Sequence, residues 1–512
     1  MTKNVLQMLE KTAAAFPQNR AFSDENGALT WQEAAAASKA VGCSLLDFAD
    51  RHGAVAVLIE KSKETLVAFM GVVYSGNFYI PIDVEMPNDR IGKIFDTVKP
   101  LAIITDESFA DKAKALADGS DIRIIHYADA VKMPVDQAAL DRIRFRAIDT
   151  DPVYALFTSG STGVPKGVVC CHRSVIDYAD WLFEFFHFDE NTVFGSQTPF
   201  YFSMSVLDIY ATLRSGAELH VIPKKLFAFP IKLLEHMNEA KINAIYWVPT
   251  ALCIVANLKA LDKVELPYLK KILFAGEAMP TKQLNIWRRH LPDALYANLF
   301  GPTEITDIGI CYVLDREFED DEPLPIGVKC DNVDGMILSE NGQATPVGEI
   351  GELCIRGSFL ALGYYNNPEK TAEMFVQNPL NPWYPEIIYK TGDLVSLNER
   401  GEMMYHGRKD FQIKHRGNRI ELGEIETAAA AIAGISMCAC IYDTEKEKIV
   451  LFYHGEEVSF ESIRDQLLKK VPSYMLPNVM IPMEEMPLNP SGKIDRKALK
   501  AYYAEKRYLK KN

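Results

Sequence analysis

The sequence predicts an α/β protein: a large N-terminal domain of two helix-covered β-sheets plus a small barrel-like subdomain, followed by a small α+β C-terminal domain. Three observations predict it. Short apolar runs rich in β-branched residues alternate with longer helical patterns, and strands spaced by crossover helices build a parallel sheet covered on its faces. That rhythm occurs twice along the chain. From about Pro323 the texture changes to short strands punctuated by glycine, as in VGEIGELCIRGSFLALGYY, which reads as a small antiparallel or barrel region. A boundary at Asp410, in the charged turn Gly407-Arg-Lys-Asp410, divides residues 1–409 from residues 410–512.

The elements follow in order. Lys3, Glu10 and Lys11 interrupt the apolar residues at the N-terminus, so that segment reads as an amphipathic helix and not as a signal peptide. A strand at Ala54 to Ile59, a helix from Glu64 to Tyr74, a strand at Phe78 to Ile82, a helix near Asp89 to Val98 and a strand at Leu101 to Thr105 make the first layer. The second repeats the pattern with Ala217 to Ile222, a helix from Pro230 to Ala240, Ala244 to Val248 and Lys271 to Phe274. The last hundred or so residues read as a strand at Glu402 to Tyr405, a helix around Gly423 to Ala433, strands near Met437 to Tyr442 and Ile449 to Tyr453, and a helix at Phe460 to Lys470.

Composition excludes several classes. With 48% hydrophobic and 24% charged residues among 512, the chain is neither collagen-like, coiled-coil nor low-complexity, and it is long enough for two to four domains. A net charge of −14 argues against a dedicated nucleic-acid or anionic-membrane surface, which an acidic face would repel. No stretch approaches the roughly 18 apolar residues of a membrane span. Nine scattered cysteines without a CxxC pair argue against a zinc site or a disulfide framework, and a reducing cytoplasm is the expected location.

The most informative segment is Phe157-Thr-Ser-Gly-Ser-Thr-Gly-Val-Pro-Lys-Gly-Val168, which follows an apolar run. Its hydroxyls, glycines and Lys166 can wrap donors around a polyphosphate. It is not a P-loop, because Pro165 precedes the lysine and Gly167 follows it, where that motif needs glycine before and a hydroxyl after. Taken alone, an ordinary Ser/Gly surface loop reads as well.

The segment resembles the signature of the adenylate-forming (AMP-binding) superfamily, and four further stretches match in order. They are Asn298-Leu-Phe-Gly-Pro-Thr-Glu304, Tyr389-Lys-Thr-Gly-Asp393, the run from Gly407 to Glu424 with its Gln-Ile-Lys-His-Arg-Gly core, and Asn489-Pro-Ser-Gly-Lys-Ile-Asp495. Within the superfamily the chain resembles the amino-acid-activating adenylation domains of nonribosomal peptide synthesis. It is also similar to the stand-alone D-alanine–D-alanyl carrier protein ligases, through Ser205-Val-Leu-Asp-Ile-Tyr210 and Leu273-Phe-Ala-Gly-Glu277.

The resemblance implies an ATP-dependent acid–thiol ligase and assigns roles. Thr158, Ser159, Ser161, Thr162 and Lys166 would hold the β- and γ-phosphates, and Thr303 would donate to the α-phosphate. Glu304 would hold Mg²⁺, Asn298 would meet the adenine amino group, and Phe300 would stack on the ring. Asp393 would accept the ribose hydroxyls and Arg408 would bridge ribose and phosphate, against the plainer reading of a surface ion pair. Lys493 would reach both the substrate carboxylate and the α-phosphate, stabilising the charge that develops between them. The resemblance also implies that the C-terminal domain is mobile and turns about a hinge at Asp410, withdrawing Lys493 and presenting the Gln412 to Glu424 region. Because the chain ends soon after Lys493, the phosphopantetheine thiol that accepts the acyl group is expected on a separate carrier protein.

The chain departs from its relatives in the acid pocket. Amino-acid-activating members carry Phe-Asp-x-Ser-Val, whose aspartate pairs with the substrate α-ammonium, whereas this chain reads Phe202-Ser-Met-Ser-Val206. Ser203 cannot neutralise an ammonium, and burying an unpaired charge costs several kcal/mol. The Cys-Gly-Glu of the D-alanine ligases is Ala275-Gly-Glu277 here. By alignment the remaining pocket positions are Met204, Leu207, Tyr246, Leu273, Ala275, Leu299, Asp307 and Ile308, an apolar lining with one carboxylate. Either the acid lacks an α-ammonium, as a hydroxy, aryl or short fatty acid does, or its amine lies farther along and pairs with Asp307. Asp208, a position where relatives carry an aspartate as well, reads as structural, with a substitute partner for the ammonium as the alternative.

Two other functions compete: an acyl-CoA synthetase using free CoA, and a non-catalytic nucleotide-binding or scaffold protein. The presence of Lys166, Glu304, Asp393, Arg408 and Lys493 together speaks against the second. Cys170, Cys171 and His172 suggest a nucleophile or metal site, but three adjacent positions on a strand cannot all face one centre.

Overall fold

The computed structural model describes residues 2–49, 52–160, 164–410, 412–455, 458–488 and 494–509. The chain forms two compact units. One comprises Met1–Val84, Thr97–Phe157 and Gly167–Lys409; the other comprises Glu85–Asp96, Thr158–Lys166 and Asp410–Asn512.

The first unit holds three sheets. A seven-stranded sheet runs Gly363–Tyr364, Lys166–Cys171, Pro152–Thr158, Phe78–Pro81, Ala54–Leu58, Ala102–Thr105 and Arg123–His126. Every residue of Ala54–Leu58 is buried, as expected for a parallel strand covered on both faces. The helix Lys63–Tyr74 that follows buries all its residues except Glu64, so it is a core helix and not an amphipathic surface one.

A nine-stranded sheet has the order Val328–Lys329, Ile310–Val313, Leu295–Phe300, Lys271–Phe274, Ala244–Trp247, Val193–Ser196, Glu218–Val221, Arg20–Asp24 and Gly27–Thr30. Its central strands are parallel, with Tyr246 in register with Leu273 and Leu273 with Ala297. Their carboxyl ends therefore finish together, which is where open α/β sheets place their ligand crevices.

The third sheet is the small antiparallel region expected after Pro323. Its long strand Ile387–Leu397 pairs with Gly351–Gly357 on one edge, and its other edge is shared by Phe375–Gln377 and Met403–Arg408.

Two sequence assignments need correction. The strand expected at Glu402 to Tyr405 in the C-terminal unit is Met403–Arg408 and belongs to the third sheet, because Asp393 pairs in register with Arg408 and Ser396 with Met404. Within the glycine-rich stretch, Gly363–Tyr364 leaves the antiparallel region and joins the edge of the seven-stranded sheet, with Tyr364 opposite Val168. Local texture does not encode which edge a two-residue strand will find.

In the second unit the hairpin of Gln412–His415 and Asn418–Glu421 turns at Arg416 and Gly417, whose φ values of 50° and 77° suit a tight two-residue loop. Strands Ile435–Asp443, Lys448–Gly455 and Val479–Pro482 form a three-stranded sheet. The apolar faces of Leu422–Ala430 and Phe460–Leu468 pack into its core around Ile425, Leu451, Ile463 and Leu467. Among the described residues no helix is long and apolar enough to cross a membrane. All nine cysteines are free thiols.

Candidate active site

Thr303 and Glu304 lie in a short turn, Thr303–Ile305, just beyond strand Leu295–Phe300, and both are buried. The turn doubles back tightly. A Cβ at Gly301 would stand 2.0 Å from the Asp307 carbonyl oxygen, so only glycine fits there. Thr306 has φ 73° and ψ −60°, and the Asp307 N–H donates to the Ile305 carbonyl at 2.9 Å, a strained γ-turn that a β-branched residue rarely adopts. The Thr306 hydroxyl, donating to the Phe359 carbonyl at 2.8 Å, holds it in place.

The Glu304 carboxylate is fully buried and accepts from the Tyr364 hydroxyl at 2.8 Å. The Asn298 side-chain N–H donates to the Pro325 carbonyl at 2.8 Å, and the Phe300 ring lies 5.8 Å from that of Tyr405. Asp393 and Arg408, directly opposite across two strands, pair at 3.1 Å with side chains only 3% and 7% exposed. They are a buried pair, and the surface ion pair weighed from sequence is ruled out. Arg408 also donates to the Thr391 carbonyl at 2.9 Å.

The acid-pocket positions gather at the carboxyl ends of the nine-stranded sheet. Ser203 and Met204 precede helix Ser205–Ser215, which carries Leu207; Tyr246, Leu273 and Leu299 end three neighbouring strands; Ala275, Asp307 and Ile308 follow them. All but Ser203 are buried. The Thr303 hydroxyl donates to Ser203 Oγ at 3.3 Å, so the nucleotide motif and the pocket motif touch.

Asp307 is 1% exposed, and both the Tyr178 and Tyr246 hydroxyls donate to its Oδ2, at 2.8 and 3.3 Å. Burial drives its carboxyl well above the usual range, the hydroxyls of Tyr178, Tyr246 and Ser203 oppose the rise, and the neighbouring Asp208 charge adds to it. Asp208, on helix Ser205–Ser215, is equally buried but faces an opposite charge in Lys61. Lys61 itself donates to the Ser196 carbonyl at 2.9 Å and lies over the Phe200 ring at 5.0 Å. Burial pulls the lysine down to about 7 while the Asp208 charge opposes the fall, and neither Asp208 oxygen has a hydrogen-bond partner among the described residues.

In the second unit Thr158 Oγ1 donates to the Lys166 carbonyl at 3.5 Å. Ser159 Oγ donates to the Arg419 carbonyl at 3.0 Å and accepts the Glu421 N–H at 3.2 Å. Lys166 Nζ lies 3.8 Å from Glu421, whose Oε1 also accepts from Gln412 Nε2 at 2.6 Å. Asp410 accepts the Gln412 N–H at 3.2 Å. Ser161, Thr162 and Lys493 lie outside the described residues.

Sequence reasoning missed Tyr178, Tyr364 and Lys61, none of which stands in a motif. His172 is no site residue: it is buried with Val5 N–H donating to Nδ1 at 3.3 Å and the Asn4 amide 3.1 Å from Nε2. Cys170 is buried and its thiol is pushed up to about 12, far from a reactive thiolate.

Residues 9–365 match the family model described as AMP-binding enzyme. The chain is 33% identical over 466 residues to Zwittermicin A synthase ZmaJ of Bacillus cereus, covering 87% of this chain and 84% of that one. It is 32% identical over 517 residues to the D-alanine–D-alanyl carrier protein ligase of Lactiplantibacillus plantarum, covering 98% and 99% of the two chains. The fold matches the Vibrio cholerae adenylation domain AlmE, solved with glycyl-adenosine-5'-phosphate, at a TM-score of 0.84 and 20% identity over 99% of this chain and 98% of that one. With the motif-bearing turns at the strand ends and the family model spanning most of the chain, the protein belongs to the AMP-binding enzyme family, the adenylate-forming enzymes.

Proposed function

We propose that the protein activates a small carboxylic or amino acid with ATP and transfers the acyl group to the phosphopantetheine thiol of a separate carrier protein. The acid's carboxylate oxygen attacks the α-phosphorus, the bond to pyrophosphate breaks, and an acyl-adenylate forms. The thiol then attacks the acyl carbonyl, losing its proton, and AMP leaves.

The observation that carries this reading is the Thr303–Ser203 hydrogen bond at 3.3 Å. It joins the motif assigned to the α-phosphate to the pocket assigned to the acid, at the point where the two reactants must meet. The carrier-protein acceptor is supported by the D-alanine ligase relative, whose name states that acceptor for that enzyme.

The family roles extend the proposal. Thr158, Ser159, Ser161, Thr162 and Lys166 hold the β- and γ-phosphates, Asp393 and Arg408 the ribose, and Asn298 and Phe300 the adenine. Glu304 suits Mg²⁺, since a buried carboxylate oxygen is the hard donor this ion combines with phosphate oxygens and water. When bound, the ion neutralises phosphate charge. Lys493, on a C-terminal domain of residues 410–512 that turns about Asp410 against residues 1–409, stabilises charge as the adenylate forms and then withdraws. Ser203 in place of an aspartate supports an acid that is not a standard α-amino acid.

Pyrophosphate release with ATP, Mg²⁺ and a panel of amino, hydroxy, aryl and short fatty acids tests the reading. Release with at least one acid is expected, falling about 100-fold or more in Lys493→Ala. Acylation of a phosphopantetheinylated carrier should follow. Turnover with CoA alone would replace the carrier by CoA, and no release with any acid would overturn the proposal.

A further inference from the structure

Resting on the proposed acid-activating reaction, we infer that the substrate is an amino acid whose amine lies beyond Cα, a β- or γ-amino acid, with its ammonium held by Asp307 in a cage made with Tyr178, Tyr246 and Ser203.

Two carboxylates are buried beside this pocket, Asp208 and Asp307, and they are not equivalent. Asp208 faces Lys61. Among the described residues Asp307 has no Lys, Arg or His as an ion-pair partner, and the charge that does act on it is that of Asp208, of its own sign. Yet its surroundings are built for an anion. Two tyrosine hydroxyls converge on one oxygen, Oδ2, at 2.8 and 3.3 Å, and hydrogen bonds to the charged form stabilise it. The strained turn at Thr306, pinned by Phe359, keeps Asp307 at this spot. A buried carboxylate furnished with donors and lacking a cation is completed by a ligand that brings one.

Position then selects the class. Ser203 occupies the place where an α-ammonium would need a carboxylate; its hydroxyl accepts from Thr303 at 3.3 Å and favours the charged form of Asp307. A cation held by Asp307 is therefore displaced from the position that Ser203 marks for an α-amine, and we assign one or two extra carbons to that displacement. The rest of the lining, Met204, Leu207, Leu273 and Leu299 among it, is apolar and suits the methylenes between.

The test compares pyrophosphate release for isosteric sets: β-alanine with propionate and 3-hydroxypropionate, 4-aminobutyrate with butyrate, and β-alanine with D- and L-alanine. The ω-amino member of each set should lead in kcat/KM by about 100-fold or more, since a site whose buried polar groups lose their partner rejects the analogue lacking it. In Asp307→Asn the ratio between β-alanine and propionate should shrink to within about 5-fold, and Tyr178→Phe should lower it by a smaller factor. An ATP-induced rise in melting temperature shows that each variant is folded. Equal or better turnover of the amine-free acids, or of alanine, overturns the inference while leaving the acid-activating reaction standing. Release with no acid at all overturns both.

Discussion

The Tyr364 hydroxyl donates to Glu304 Oε1 at 2.8 Å, joining a two-residue edge strand of one sheet to the turn that ends a strand of another. Both residues are buried, so the bond holds the Glu304 carboxylate in one orientation without competition from water. If Glu304 binds Mg²⁺, Tyr364 is its positioning residue, and such partners are worth about 10-fold or more in metal affinity. Tyr364→Phe should therefore raise the Mg²⁺ concentration for half-maximal pyrophosphate release by about 10-fold, with little change in KM for the acid. A Mg²⁺ titration in which the variant matches the wild type would separate the tyrosine from metal binding.

His172 carries a second expectation, one of stability and not of catalysis. Burial, reinforced by the Arg144 charge and opposed by Asp149, lowers its folded pKa to about 3 from an ordinary value of 6.5. Above pH 6.5 the ring is neutral whether the chain is folded or not, and His172 adds no pH dependence. Between about 6.5 and 3 the unfolded chain binds a proton that the folded one refuses, so stability is lost as pH falls, by about 1.4 kcal/mol per unit within that window. His172→Gln should flatten this acid limb in denaturant unfolding measured from pH 7 to pH 4. His220 and His415, also lowered to about 4, remain in the variant, so the difference between the two curves belongs to residue 172. Identical slopes would show that His172 titrates normally.

What the sequence discloses depends on whether neighbours in space are neighbours along the chain. Thr303, Glu304 and Asp307 stand within five residues of one another, so the family motif and alignment named them together, whereas the strand Leu295–Phe300 that carries them to a sheet end was not among the expected strands. The cage around Asp307 was half legible: Tyr246 follows from alignment with the resembled family, whereas Tyr178 comes from helix His172–Phe186, 129 residues away, through a contact that no spacing announces. The same holds for Tyr364 and Glu304, 60 residues apart. Strand partners were legible in type but not in address. Met403–Arg408 looks like any short strand, and only pairing Asp393 with Arg408 shows that it closes the third sheet and does not open the C-terminal unit. The electrostatic influence of Asp208 on Lys61 needed the fold as well, because a lysine in a turn after a strand reads as solvated until the fold brings helix Ser205–Ser215 near it.

The buried pair of Asp393 and Arg408 sets the hardest test, because removing either residue breaks a buried ion pair and damages stability whatever its role. Binding must therefore be separated from folding by changing the nucleotide and not only the protein. If Asp393 accepts ribose hydroxyls, the wild type should prefer ATP over 2′-deoxy-ATP by about 10-fold or more in kcat/KM, the value of a hydrogen bond to a charged acceptor. Asp393→Asn should lower activity with ATP while narrowing that preference to about 2-fold, since the lost hydroxyl and the lost carboxylate are the same interaction counted once. A preference for ATP that survives intact in Asp393→Asn would mean that the carboxylate serves Arg408 alone, and that the ribose is read elsewhere.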